Sequence, residues 1–173
     1  MNKWKKMSRA FIKENDLEHA GIDIPERIIS KEINYVTPNG LKILHEAVTK
    51  IESDRAYLLN DDSPTSKEKK MRIEREIRYY LSRIDSAIVI SPEQQPTDTI
   101  LFSANVEVEN FNGDTLRFII VGEDEADIKL SKISYVSPLA KALIGAKIDD
   151  EVIWHKPSGN ERLIITGITY PNI

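Results

Sequence analysis

An α+β fold follows from a change of hydrophobic period part-way along the chain. In the first half, apolar residues recur at steps of three and four, as on one face of a helix. From Ala104 onward they alternate with polar ones, as in half-buried strands. The helical stretch is interrupted at Asn60-Asp61-Asp62-Ser63-Pro64, a turn cluster, and two helices joined by so short a loop must run antiparallel. These observations predict an N-terminal antiparallel coiled-coil hairpin followed by a small antiparallel sheet with one short helix.

Residues 1–35 read as an N-terminal extension. Lys3, Lys5, Lys6, Arg9 and Lys13 make its start basic, and Pro25 with Ile28-Ile29 suggests a segment lying along the body. The hairpin is expected over residues 36–91. Thr37 is a good N-cap and Pro38 suits the first helical position. Leu41, Leu44, Val48, Ile51 and Leu58 form a heptad seam with Arg55 at one polar position. Ser66 can cap the second arm, whose apolar stripe is Ile73, Ile77, Tyr80, Leu81, Ile84 and Ile88. Each arm comes to about 23 residues, or roughly 35 Å. The Pro-rich stretch Ser91–Thr97 marks the boundary with residues 92–173. There, a strand from Ala104 and another from Leu116 flank the turn Phe111-Asn-Gly-Asp. Pro138–Leu143 reads as a short helix ended near Gly145, and two later strands flank Lys156-Pro-Ser-Gly.

Composition removes several function classes. The 173 residues contain no cysteine, which excludes disulfides, thiolate catalysis and zinc–thiolate sites and fits a reducing cytoplasm. A net charge of −4 argues against binding nucleic acid over the whole surface. No apolar run approaches a membrane span, and the N-terminal lysines are not followed by a signal-peptide core. His19, His45 and His155 form no ligand cluster, and Glu123-Asp-Glu-Ala-Asp lacks the alternating ligands of a calcium loop, so no metal site of the chain's own is expected. Trp4 and Trp154 read as packing residues. There is no glycine-rich phosphate loop and no nucleophile elbow, hence no self-contained enzyme.

The stretch Ile133–Tyr170, ISYVSPLAKALIGAKIDDEVIWHKPSGNERLIITGITY, resembles the C-terminal domain of the bacterial GreA/GreB transcript-cleavage factors, with their ISxxSPxARALLGK and TPxGE patterns. Asn34-Tyr-Val-Thr-Pro-Asn-Gly-Leu resembles the start of their coiled coil, and Ile120-Val-Gly-Glu-Asp-Glu-Ala-Asp their IVGxDEAD loop. The resemblance implies a C-terminal domain like that of the FK506-binding proteins. It does not imply prolyl isomerase activity, because fold alone does not carry function. It further implies a cytoplasmic monomer docking on the rim of the bacterial RNA polymerase secondary channel through Ser134, Ser137 and Pro138. Val136 stands where the family has an acidic or amide residue. Taken alone, Ser137-Pro138 is an ordinary helix start.

The hairpin tip departs further from the family. Cleavage factors carry Asp and Glu three residues apart, holding a magnesium shared with the polymerase beside the nascent RNA 3′ end. Here Asp61 and Asp62 are the acidic pair, with Pro64 and Thr65 three positions on. They are the candidate catalytic carboxylates, against the alternative of a solvated turn. The arms also read as shorter than the family's, and ten residues fewer per arm is roughly 15 Å less reach. Both departures are similar to the Rnk-type regulators, which dock without promoting cleavage. The expected function is therefore an accessory factor that modulates elongation, with active stimulation of cleavage as the alternative. Lys67, Lys69, Lys70 and Arg72 on the second arm are candidate contacts to RNA or to the channel wall, against the alternative of a solvated face.

Overall fold

The computed structural model describes residues 25–58, 61 and 63–170; Trp4, Asp62 and the basic start of the extension lie outside them. Helix α1, Pro38–Tyr57, is capped by Thr37, whose side chain accepts from the Gly40 amide. Helix α2, Pro64–Asp85, is capped by Ser63 and not by Ser66, and Pro64 takes the first helical position. The sequence reading placed this cap three residues late because both serines suit the role; the proline decides it, since its ring fits the first turn and clashes further in. The arms are 20 and 22 residues long, close to the expected length.

The seam is present but shallow. Leu44 is buried, whereas Leu41, Val48, Ile51 and Leu58 are half-buried and Arg55 is exposed. On α2, Ile73, Ile77, Tyr80 and Ile84 keep to the seam, but Leu81 is 50% exposed. Ile88, assigned above to the helical stripe, lies beyond the helix end. It pairs with Tyr35 in a two-residue parallel ribbon of β1 (Tyr35–Val36) and β2 (Ile88–Val89). The ribbon ties the two ends of the hairpin together at its root.

Strands β3 (Asn105–Asn110), β4 (Thr115–Val121), β5 (Lys132–Ser134), β6 (Glu151–Lys156) and β7 (Gly159–Thr169) form one sheet in the order β5-β4-β3-β7-β6. It is mixed, not wholly antiparallel: β5 runs parallel to β4. The chain between them makes two 3₁₀ turns, Glu123–Glu125 and Ile128–Leu130, and re-enters in the same direction. Helix α3, Pro138–Leu143, lays Leu139, Ala140 and Leu143 on Val106, Val108, Ile120, Leu163 and Ile165. Trp154 packs at the margin of this core, as expected.

Leu143 is fully buried and Ile153 is 45% exposed. Leu143→Ala should cost about 2–5 kcal/mol through lost burial plus a cavity, and Ile153→Ala about 0.5 kcal/mol or less. Urea unfolding followed by far-ultraviolet circular dichroism separates the two.

Candidate functional site

Three places carry polar chemistry: the hairpin root, the loop before α3, and the hairpin tip. At the root, Tyr79 and Arg83 lie in the last two turns of α2 and face the acidic 3₁₀ turn after β4. Arg83 Nε donates to Asp124 Oδ2 at 2.6 Å and Arg83 Nη2 reaches Glu123 Oε2 at 3.4 Å. Tyr79 OH donates to Asp124 Oδ1 at 2.6 Å. Both Asp124 oxygens are thus engaged by α2.

Glu125 turns the other way, toward α1. It accepts from Thr37 Oγ1 at 2.5 Å, Asn39 Nδ2 at 3.1 Å and Lys132 Nζ at 3.0 Å. A carboxylate at this helix N-terminus also meets the positive end of the dipole. Gly40 leaves room for this carboxylate: a Cβ there would lie 2.7 Å from Glu125 Oε2 and displace it from its partners. Gly122 is required for the same kind of reason: a Cβ there would lie 2.6 Å from the Tyr35 carbonyl oxygen.

Magnitudes rank these contacts. The surface pair Lys42–Glu46, with side chains 72% and 64% exposed, contributes about 0.5 kcal/mol or less. The Arg83 side chain is 2% exposed, and removing one partner of such a pair costs about 3–5 kcal/mol because the other charge is left buried. The sequence does not single out Arg83, and it shows the acidic loop only as a motif. Tertiary contact pairs the two.

In the loop before α3, Ser134 ends β5 and its Oγ accepts from the Val136 amide at 3.4 Å, while the Ser137 amide donates to the Ser134 carbonyl at 2.9 Å. Ser137 caps α3, accepting from the Ala140 amide at 3.2 Å, and Pro138 is exposed at the first helical position. The loop is backed by three rings: Tyr135 lies 5.5 Å from Tyr35 and 5.9 Å from Phe102, edge-on to both. Tyr35 belongs to β1, so Ser134, Ser137 and Pro138 are brought together on a support continuous with the hairpin root.

At the tip, Asp61 accepts from the Ser63 amide at 2.9 Å and from Ser66 Oγ at 2.6 Å, while its carbonyl accepts from Lys70 Nζ at 3.0 Å. The Ser66 hydroxyl, then the Ser63 amide, hold the Asp61 carboxyl down at about 2. Asp62 lies outside the described residues. Lys67 and Lys69 are exposed, and Arg72 donates to Glu68 Oε1 at 2.7 Å. Among the described residues no three His, Asp or Glu side chains are grouped to hold a metal ion, and no helix is long and apolar enough to cross a membrane.

With this geometry in place, comparison with known proteins is decisive. The family described as transcription elongation factor GreA/GreB, C-terminal, matches residues 95–170. The chain is 32% identical over 156 residues to transcription elongation factor GreB of Neisseria meningitidis serogroup B strain MC58, covering 81% of this chain and 96% of that protein. The chain belongs to the GreA/GreB family of transcription elongation factors. Transcription elongation factor GreA of Sphingopyxis alaskensis is 36% identical over 126 residues, with 71% of this chain and 80% of that one covered. Among solved structures, a transcription elongation factor GreA/GreB from Nitrosomonas europaea is similar at 20% identity and a TM-score of 0.40, covering 81% of this chain and all of that one. The family match ends where the described part of this GreA/GreB-family chain ends, and it takes in β3–β7 and α3 but leaves the hairpin outside.

Two outcomes follow from the titrating groups. Burial, then the bond to Asp124, pushes the Tyr79 phenol up to about 12 from its ordinary 10. The unfolded chain therefore releases this proton first as pH rises, so the contribution of Tyr79 is complete below pH 10 and is lost toward pH 12. The urea midpoint should fall less steeply over that interval in Tyr79→Phe than in the parent. At the tip, Ser66→Ala should raise the Asp61 pKa from about 2 toward the usual 3.8, as read by carboxyl-carbon NMR titration.

Proposed function

We propose that this GreA/GreB-family protein is an accessory factor of bacterial RNA polymerase. It docks on the rim of the secondary channel through Ser134, Ser137 and Pro138, inserts the hairpin and modulates elongation. The observation that carries the reading is the tip: Asp61 is bound into the cap of its own helix, and no Glu stands three residues after either aspartate. Chain length points the same way. The alignment with the Neisseria factor is 156 residues long, and 81% of this 173-residue chain supplies about 140 of them. The relative therefore has residues that this chain lacks. The protein would work in the cytoplasm, hold no cofactor of its own, and leave any RNA cleavage to the polymerase active site.

A second reading is active stimulation of cleavage. It is favoured by Asp61 remaining ionised at any working pH, able to contribute to a magnesium shared with the polymerase near the RNA 3′ end. Binding and cleavage assays decide between the two. Core polymerase should retain the parent protein at micromolar concentration, and a Ser137→Ala, Pro138→Ala variant should bind at least about tenfold more weakly, about 1.4 kcal/mol. Absence of binding by the parent, with a cleavage factor as positive control, rejects docking. Backtracked complexes with magnesium should show little RNA shortening; strong shortening that disappears in Asp61→Ala, Asp62→Ala would establish the second reading. If Lys67, Lys69, Lys70 and Arg72 meet RNA or an acidic wall, changing all four to Gln should flatten the salt dependence of binding.

A further inference from the structure

The segment before the hairpin is held on α2 by one side chain more than by any other. The Arg27 guanidinium lies 3.6 Å from the centroid of the Tyr79 ring and 5.5 Å from that of Tyr80, and Nη1 donates to Glu76 Oε2 at 2.8 Å. Its neighbours add weaker ties: Arg75 Nη1 reaches the Pro25 carbonyl at 3.4 Å, and Glu26 pairs with Arg78 on the surface. Apolar packing contributes little. Ile28 is 94% exposed, and a cleft of about 350 Å³ remains beside it, lined by Ile43, Ala47 and Tyr80. The other end of the segment meets the loop before α3 and α3 itself. The Ile33 carbonyl accepts from the Tyr135 hydroxyl, and Glu32 lies 3.9 Å from Lys141 on α3.

This arrangement has a mechanical consequence. Arg83 grips α2 at its root, while Glu76 is seven residues nearer the tip, about 10 Å along the axis. The acidic turn holds α2 at Tyr79 and Arg83 and α1 at Thr37 and Asn39, all near the root, and a rod braced further out tilts less. Pro64 lies about 28 Å from Arg83 on the same scale, so slack of about 1 Å at Glu76 becomes about 3 Å at the tip.

We propose that residues 25–33 form a strap that sets the pitch of the hairpin against the sheet, with Arg27 as its positioning residue. The strap acts by bracing α2 beyond the contacts that hold its root. Its use on polymerase rests on the docking reading above, but the strap itself is tested without polymerase.

The chain has no cysteine, so spin labels can be placed cleanly at Thr65→Cys, near the tip, and Glu109→Cys, on the sheet. Both positions are exposed. In the full chain, Arg27→Ala should broaden the label-to-label distance distribution about twofold or more, given the lever ratio. Arg27→Lys should fall between, because an ammonium keeps the attraction to Glu76 and loses the planar stack. If Arg27→Ala lowers the helical signal, Glu76→Gln replaces it, removing the carboxylate and keeping the stack. A distribution as narrow as the parent's in the folded variant overturns the proposal. With core polymerase, Arg27→Ala should dock within about twofold of parental affinity and lose most of the effect on elongation. An undiminished effect would overturn the positioning role. A parent that fails to bind would reject docking, and the distance measurement would still decide the strap.

Discussion

The buried guanidinium of Arg83 is the interaction on which the rest of the arrangement depends. A two-helix rod offers little apolar surface to whatever holds it: α1 buries Gly40 and Leu44, and α2 buries Ser66 and Arg83. Hydrophobic contact is also non-directional, so a shallow seam would let the rod slide and tilt. The acidic turn after β4 solves this with direction. Asp124 and Glu123 hold α2 through Arg83 and Tyr79, and Glu125 holds α1 through Thr37 and Asn39. Three consecutive acids thus address both arms at their root. The desolvation cost of Arg83, Asp124 and Glu125 is offset because each has two or more partners.

The same root supports the loop before α3. Tyr35 pairs with β2 on one side and packs against Phe102 and Tyr135 on the other. The loop and the hairpin root therefore form one stiff unit, while the tip is polar and held by its own local bonds. Such a division supports the docking role proposed above. It also separates demands on stability: the root needs depth and several partners, and the tip needs water and charge.

Asp61 shows how one side chain can satisfy two demands. Asp at the start of a helix is favoured because its oxygens accept otherwise unpaired donors. Those bonds keep the carboxylate charged and also fix where it points.

Much of the α+β order was legible in the sequence. The change from a period near 3.6 to a period of two, the Thr37-Pro38 and Ser137-Pro138 caps, and the Phe111-Asn-Gly-Asp turn are local signals, and each appears where it was read. Residue type also carried the family, through the long patterned stretch at Ile133–Tyr170. Local signals failed where two elements compete or meet. Ser63 and Ser66 both suit a cap, and the proline between them decided. Ile88 continued the helical stripe in sequence but joined a strand, because Tyr35 offered it a partner from 53 residues away. Strand β5 was missed as a parallel edge because its direction is set by the turns before it. Arg83 is one of seven basic residues on α2, and nothing local marks it out. Its partners lie about 40 positions on in the sequence, and a charge becomes structural when folding removes water from around it, which tertiary contact alone decides.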